Sequence, residues 1–294
     1  MFEGFEYSHV NTGDANINLV HGGSGPPLLL IHGYPETHVA WHKVAPLLKD
    51  SFTLVMPDLR GYGDSSGPEP DPQHQNYSKR AMAQDMVNVM KSLGFDSFAV
   101  AGHDRGGRVA YRMALDHPET VTQLAVLDII PTIDYWEHMD FKSALQSSFI
   151  WVFMAQPYPL PEKLIGSNPD LFLRQGFASC TDNPEAIAPE AMGEYLRSYR
   201  KKSVIRASCE DYRAGASVDI ELDRQDRDAG RRIQCPVLAL WSTQGDEYHS
   251  NDPIAIWRQW AQDVTGFSLD CGHFLMEEAP EETAEALKKF FQQG

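Results

Sequence analysis

Residues 102–106 read Gly-His-Asp-Arg-Gly and stand between an apolar, strand-like stretch and a helical one. A chain that turns from a strand straight into a helix leaves room only for glycine on either side of the turn. The pattern is that of a nucleophile elbow, which presents its central side chain at the end of a parallel strand. The alternative is a glycine-flanked turn in which Asp104 only caps the next helix. The strand and the helix around the motif favour the elbow.

The aspartate at the centre of this motif constrains the chemistry. A serine that attacked a saturated carbon would leave a stable ether, whereas a carboxylate leaves an ester that water can hydrolyse. Asp104 therefore indicates a nucleophile for displacement at an sp3 carbon, as in dehalogenation or epoxide opening, rather than for ordinary ester cleavage.

Short apolar runs alternate with helical patterns along the chain. The runs that predict buried strands are 28–31, 53–56, 98–101, 124–127 and 237–240. Such alternation predicts an α/β fold with a mostly parallel, doubly wound sheet. It lapses between about residues 132 and 232, where aromatic and helical patterns replace it. We therefore expect a core domain made of residues 1–132 and 233–294, and an inserted helical cap domain over residues 133–232.

Charge and cysteine content limit the partners of the chain. The 294 residues carry a net charge of −16, which argues against nucleic acid and anionic membranes. A small anionic substrate is compatible with this charge, because salt screens charges beyond about 8 Å. The four cysteines lack the spacing of a zinc site or a disulfide framework, and the sequence has no secretory signal and no membrane-spanning run. These features predict a cytoplasmic protein.

The order of residues along the chain predicts a base and an acid. On such a sheet the nucleophile, the acid and the histidine follow in that order, and His273 is the only histidine late enough to complete it. It would act as general base for the hydrolytic water. Asp128 and Asp246 are both candidates for the acid, since each follows a predicted strand. Asp128 is favoured, because its apolar neighbours make a buried carboxylate costly without a partner such as His273.

Groups that could bind the substrate flank the elbow. The His-Gly-Tyr-Pro segment at 32–35 follows the first predicted buried strand, and a backbone N–H there would help to form an oxyanion hole. Arg105 and Arg108 lie one helical turn apart, so that together they could hold a carboxylate through paired hydrogen bonds. The alternative is that these arginines pair with carboxylates of the cap, which is easier to accept for Arg108 or Arg112 than for Arg105.

Three further motifs extend the pattern over nearly the whole chain: Leu-Asp-Ile-Ile-Pro at 127–131, Ala-Gln-Pro-Tyr-Pro-Leu-Pro-Glu-Lys at 155–163 and Cys-Glu-Asp-Tyr-Arg-Ala-Gly-Ala at 209–216. With them the chain resembles the fluoroacetate (haloacetate) dehalogenases of the α/β-hydrolase superfamily. The resemblance implies Asp104 as nucleophile, His273 as base and Asp128 as acid, without metal or organic cofactor.

The resemblance also implies how a substrate is held. Arg105 and Arg108 would clamp its carboxylate, and Tyr34 would take the position of an aromatic residue that lines the pocket. In this family a histidine, a tryptophan and a tyrosine of the cap hold the departing halide. Trp151 and Tyr212 match the last two, whereas Ile150 stands at the histidine position. Cys180 stands where the family has a second cap aromatic, a tryptophan.

The sequence thus predicts hydrolysis of short 2-haloacids to 2-hydroxyacids, with chloroacetate and bromoacetate preferred to fluoroacetate because of Ile150. The small anionic haloacid is the expected partner. A homodimer is compatible with the sequence, which leaves the oligomeric state open.

One alternative is an epoxide hydrolase with the same nucleophile, and the cap tyrosines proposed as its acids are Tyr135, Tyr158, Tyr195 and Tyr199. An arginine clamp disfavours that reading, because a neutral epoxide has no use for it. Another alternative is a ligand-binding receptor on a hydrolase fold, which a turnover assay would exclude.

Overall fold

The computed structural model describes residues 1–243 and 252–293, and these residues form one mixed sheet flanked by helices. The strands are β1 (Glu6–Asn11), β2 (Asn16–Gly23), β3 (Pro27–Ile31), β4 (Thr53–Pro57), β5 (Phe98–His103), β6 (Val121–Leu127), β7 (Val237–Ser242) and β8 (Val264–Leu269). Their spatial order is β1-β2-β4-β3-β5-β6-β7-β8. The pairs β1–β2 and β2–β4 are antiparallel, and all later pairs are parallel.

The five predicted buried strands are confirmed as β3, β4, β5, β6 and β7. All residues of β5 are buried, as expected for a central strand with helices on both faces. The prediction did not include β1 and β2. In β1 exposed residues alternate with partly buried ones, so the strand lacks the continuous apolar run that marks a strand buried on both faces.

Helices occupy the connections between the strands. Before β6 they are α1 (Ala45–Leu48), α2 (Lys79–Ser92) and α3 (Asp104–Asp116), and after β7 they are α12 (Pro253–Trp260), α13 (Leu275–Glu278) and α14 (Pro280–Phe291). Short 3₁₀ helices span His38–Trp41, Gln75–Tyr77 and Pro184–Ala186. Helix α2 turns its buried methionines, Met82 and Met86, towards the core, and Gly94 follows its end with a φ of 88°. Glycine tolerates this left-handed conformation, which is why it follows so many helix ends.

Between β6 and β7 the chain forms a helical insertion, residues 132–228. Its helices are α4 (Thr132–His138), α5 (Phe141–Leu145), α6 (Phe149–Met154), α7 (Leu160–Ser167), α8 (Pro169–Cys180), α9 (Pro189–Tyr199), α10 (Lys202–Gly215) and α11 (Val218–Asp228). The insertion lies where the predicted alternation lapses. The division into a core domain and a cap domain at 133–232 stays a prediction. Among the described residues, no helix is long and apolar enough to span a membrane.

Candidate active site

The elbow predicted from residues 102–106 is present between β5 and α3. Asp104 has a φ of 43°, in the left-handed region that side chains rarely adopt. The flanking glycines are required by contact with the backbone. A Cβ on Gly102 would lie 2.4 Å from the carbonyl oxygen of Gly106, and one on Gly106 would lie 2.3 Å from that of His32. Strain of this kind is typical of functional sites, and here it fixes the position of the Asp104 carboxylate.

A backbone N–H from the loop after β3 points at this carboxylate. The N–H of Tyr34 donates to Oδ2 of Asp104 at 2.9 Å. The segment 32–35 therefore lies where the sequence analysis expects an oxyanion-hole donor. A Cβ on Gly33 would lie 2.7 Å from Cβ of Asp104, so the two loops are in close contact.

His273 and Asp128 come together from the ends of two strands. Nδ1 of His273 lies 2.6 Å from Oδ2 of Asp128. Burial of His273 disfavours its charged form. The hydrogen bond and the negative charge of Asp128, together with the charge of Asp104, outweigh burial and raise the pKa of His273 to about 10. The predicted base therefore interacts with both the predicted acid and the predicted nucleophile, through a hydrogen bond to Asp128 and through the charge of Asp104.

Asp128 is oriented by the neighbouring strand as well. Its other oxygen, Oδ1, accepts the backbone N–H of Ser242 at 2.8 Å, and its φ of 53° turns the side chain at the end of β6. The alternative acid, Asp246, lies outside the described residues.

The structure pairs Arg105 with a carboxylate of the helical insertion, which the sequence analysis considers easier for Arg108 or Arg112. Nε and Nη2 of Arg105 donate to the carboxylate of Asp211 on α10, at 3.1 and 2.7 Å. Burial works against the charge on Arg105, but the adjacent carboxylate more than compensates and raises its pKa. Nη1 of Arg105 is buried and has no hydrogen-bond partner among the described residues.

Arg108 makes no ion pair among the described residues. Its Nη1 donates to the carbonyl oxygen of Ile130 at 2.9 Å, and its buried Nε has no partner in that part of the chain. Arg112, the next arginine of α3, instead pairs with Asp223 and Asp226 of α11. Arg105 and Arg108 thus each have one buried N–H group without a hydrogen-bond partner among the described residues.

Trp151 of α6 lies between these two arginines. Its ring centroid is 4.8 Å from the guanidinium carbon of Arg105 and 4.4 Å from that of Arg108. Tyr135 stacks on Trp151 at 4.1 Å, and Tyr212 meets it edge to face at 5.5 Å. Cation–π contact of this kind holds the guanidinium groups in place.

Tyr34 continues this aromatic cluster on the other side. Its ring lies 5.3 Å from that of Tyr212, and its hydroxyl is 2.5 Å from the hydroxyl of Tyr199. Burial raises the pKa of both Tyr34 and Tyr199 well above the ordinary value, so both stay neutral phenols. Ile150 precedes Trp151 on α6, is half-buried and packs against the hydrophobic core.

Several residues that contact the site were not predicted from the sequence. Asp211 holds Arg105, and Glu36 accepts a hydrogen bond from the N–H of Gly33 and lies 3.0 Å from Nδ1 of His103. Asp211 is part of the motif at 209–216. Its pairing with Arg105 is not visible in the sequence, because the two residues lie far apart along the chain. The contacts of Asp211 with Arg105 and of Glu36 with His103 join positions more than 60 residues apart, so no local pattern reveals them.

A family model described as alpha/beta hydrolase fold matches residues 26–280. The chain belongs to the α/β-hydrolase family. A fluoroacetate dehalogenase from Burkholderia sp is 45% identical to this hydrolase over 291 residues, which are 99% of this chain and 95% of the relative. The resemblance to the fluoroacetate dehalogenases is thereby confirmed. A soluble epoxide hydrolase from Corynebacterium sp. (strain C12) is 33% identical over 279 residues, 94% of this chain and 93% of that protein.

Solved structures agree with this assignment. A protein of Nostoc sp PCC 7120, itself assigned to the α/β hydrolases, superposes on the hydrolase with a TM-score of 0.96. The two sequences are 52% identical, and the match covers 99% of each chain. The predicted fold class is therefore confirmed.

Proposed function

We propose that this hydrolase cleaves the carbon–halogen bond of short 2-haloacids through an ester of Asp104. One observation carries the proposal. An aspartate stands on the elbow beside two buried arginines, each with an unused N–H group. A carboxylate nucleophile beside two cations suits an anionic substrate whose reacting carbon is saturated. The fluoroacetate dehalogenase relative supports this reading.

The substrate carboxylate would bind between the arginines at two points. Nη1 of Arg105 and Nε of Arg108 are buried donors that have no partner among the described residues, and an unpaired buried donor costs about 1–3 kcal/mol. A bound carboxylate would satisfy both. Because Asp211 already occupies the Nε and Nη2 side of Arg105, this arginine offers Nη1 alone rather than a bidentate fork.

In the first step, one oxygen of Asp104 attacks the carbon that bears the halogen. The new carbon–oxygen bond forms as the carbon–halogen bond breaks, and the halide leaves with the bonding electron pair. The N–H of Tyr34 holds the other carboxylate oxygen. The product of this step is an ester of Asp104 with the 2-hydroxyacid.

In the second step, water attacks the carboxyl carbon of Asp104. His273, supported by Asp128, accepts the proton of the water, and the hydroxyacid leaves. The oxygen of the water stays in Asp104, and the hydroxyacid leaves with the Asp104 oxygen that attacked in the first step. In the ester the charge of Asp104 is neutralised, so one of the interactions that raises the pKa of His273 is absent when His273 must act as a base. The overall change converts haloacid and water into hydroxyacid, halide and a proton.

We propose that the enzyme prefers chloroacetate and bromoacetate to fluoroacetate. Fluoride is the smallest and most strongly hydrated of the three leaving ions, so its departure depends most on hydrogen-bond donors. Trp151 and Tyr212 can supply donors, whereas Ile150 is apolar. The lack of one such donor costs about 2.7–4 kcal/mol in comparable sites.

A single turnover in heavy-oxygen water tests the proposal. With chloroacetate in less than stoichiometric amount, the label is expected in Asp104 and not in the first hydroxyacid, because the water oxygen remains in the carboxylate. The variant His273→Ala should retain the ester, which mass spectrometry of the peptide around position 104 detects. Label in the product of the first turnover would instead show direct attack by water and contradict the mechanism.

The epoxide hydrolase alternative is tested alongside it. The neutral hydroxyl pair of Tyr34 and Tyr199 could protonate an alkoxide, and a relative is an epoxide hydrolase. Of the other proposed acids, Tyr195 donates to Glu277, Tyr135 donates to Ser148 and Tyr158 is exposed. Turnover of styrene oxide in preference to chloroacetate would favour this alternative over dehalogenation.

A further inference from the structure

The loop that carries His273 is bonded to the helical insertion through main-chain groups. The N–H of His273 donates to the carbonyl oxygen of Cys180 at 2.9 Å. A Cβ on Gly272 would lie 2.5 Å from the backbone nitrogen of Asp182 and 2.8 Å from the carbonyl oxygen of Cys180. The loop therefore packs directly on the chain that leaves α8, and the Glu278 side chain lies at the same contact, with Oε1 2.7 Å from the Cβ position of Gly272.

One carboxylate completes this contact. Oε2 of Glu278, the last residue of α13, accepts the backbone N–H of Asp182 at 2.9 Å and that of Asn183 at 3.2 Å. The same oxygen accepts the N–H of Gly272 at 3.2 Å, and Oε1 accepts the N–H of Phe274 at 3.1 Å. Two of these donors belong to the insertion, and the other two flank the histidine. Glu278 thus ties both sides of the histidine to the insertion.

The neighbouring residue reinforces the same junction. The buried Glu277 accepts the hydroxyl hydrogen of Tyr195 on α9 at 2.7 Å, and Lys43 donates both to the carbonyl oxygen of Glu277 and to that of Ala186 in the insertion. Phe274 packs on Phe177 of α8 with ring centroids 4.6 Å apart. Helix α13, which begins directly after the histidine loop, is therefore anchored to the insertion along its length.

We propose that Glu278 is a positioning residue that sets the place of His273 by fastening its loop to the helical insertion. The inference rests on the proposed function, because His273 acts there in the hydrolysis of the ester. His273 is then held by Asp128, which bonds its imidazole, by His103, whose Nε2 lies 2.8 Å from its carbonyl oxygen, and by the main-chain hydrogen bonds of Glu278 on either side of it. None of the hydrogen bonds of Glu278 reaches Asp104, Arg105 or Arg108. Its removal should therefore slow ester hydrolysis and leave ester formation intact.

Hydrogen bonds to an ionised carboxylate are stronger than neutral ones, and an amide keeps only one oxygen as acceptor. The variant Glu278→Ala removes all four bonds, whereas Glu278→Gln preserves the shape and part of the bonding. Glu281→Gln is the matched control, because Glu281 is an exposed glutamate at the start of α14.

Rapid-quench measurement of chloride release from chloroacetate separates the two steps. For Glu278→Ala, we expect the first equivalent of chloride within about threefold of the wild-type rate, followed by turnover about tenfold to a hundredfold slower. For Glu278→Gln, an intermediate deficit confined to the later turnovers is expected. The control should match wild type in both phases. An equal loss in both phases, or no loss in either, would overturn the proposal.

Hydrogen exchange supplies a readout that does not depend on activity. Peptides covering 271–275 and 180–184 should exchange faster in Glu278→Ala and Glu278→Gln than in wild type and the control. Unchanged exchange in both peptides would also overturn the proposal. If Glu278→Ala fails to fold, Glu278→Gln carries both measurements. Failure of the proposed function would look different, since wild type itself would then release no halide from any haloacetate.

Discussion

At the scale of single residues, the site depends on how buried charges are shared. Asp211 accepts hydrogen bonds from Arg105, from Lys79 and from the hydroxyl of Tyr62. Burial disfavours its charge, but Arg105 and Lys79 hold the pKa of Asp211 well below its usual range. One carboxylate therefore pairs with two cations, and Lys79 also lies 3.4 Å from Asp219. By holding Nε and Nη2 of Arg105, Asp211 orients the Nη1 group that has no partner among the described residues.

The proposed halide order depends on one residue of the insertion, Ile150. In Ile150→His we expect the ratio of fluoroacetate to chloroacetate turnover to rise by about tenfold or more, because the imidazole adds a donor where negative charge develops. Ile150→Val, which stays apolar, is the matched control and should leave the ratio unchanged. Comparing the ratio within each variant cancels any loss of stability that an imidazole causes in a half-buried position. Wild-type enzyme that releases fluoride faster than chloride would show that Ile150 is unimportant.

At the scale of elements, the elbow works because β5, α3 and the end of β3 approach one another without side chains. Gly106 faces the carbonyl oxygens of Ile31 and His32, and these belong to the backbone rather than to a flexible side chain. A strand and a helix packed this closely leave the backbone of Asp104 no freedom to relax, which keeps its strained φ in place.

Gly106→Ala tests this packing. The added methyl group would lie 2.3 Å from the carbonyl oxygen of His32, so the elbow must move or the fold must weaken, by about 1–3 kcal/mol for overpacking of this kind. Both the urea midpoint and the rate of halide release should fall. Gly193→Ala in α9 is the control: its methyl group meets no atom within 4 Å, and a gain of about 0.4–1 kcal/mol is expected. Normal activity and stability in Gly106→Ala would contradict the required close approach.

At the scale of the whole molecule, buried ion pairs fasten the helical insertion to the sheet layer. Arg112 of α3 pairs with Asp223 and Asp226 of α11, and all three side chains are at most 5% exposed. Tyr111 also donates to Asp223, at 2.8 Å. These contacts place the insertion beside α3, the helix that begins at Asp104. A change in the position of the insertion would therefore change the shape of the site.

Loss of this fastening should be costly. In Arg112→Met the buried Asp223 loses the one cation that it pairs with among the described residues, and Asp226 keeps only Arg231, at 3.1 Å. We expect a decrease of about 3–5 kcal/mol in the free energy of unfolding. Arg80→Met is the control, because Arg80 is 47% exposed and its pair with Asp116 contributes about 0–1 kcal/mol. Urea unfolding followed by circular dichroism measures both. Equal losses in the two variants would show that the buried network does not hold the insertion.

The sequence alone predicts the strands β3 to β7 and the elbow, and it favours Asp128 over Asp246 as the partner of His273, because each leaves a local signature. Apolar runs mark buried strands, glycines mark a turn that has no room for side chains, and a lone carboxylate among apolar residues requires a partner. Asp104, Asp128 and His273 follow β5, β6 and β8, which lie in that order in the sheet, so their order along the chain matches their order at the sheet edge.

The surroundings of those residues depend on tertiary packing. It paired Arg105 with Asp211, placed Trp151 between two guanidinium groups and joined Glu278 to main-chain donors in the insertion. These contacts link positions that are far apart in the chain, and a charged or aromatic residue has many possible partners in a chain of this size. The packing of the insertion on the sheet chooses among them, since a buried charge or donor is stable only where its partner lies.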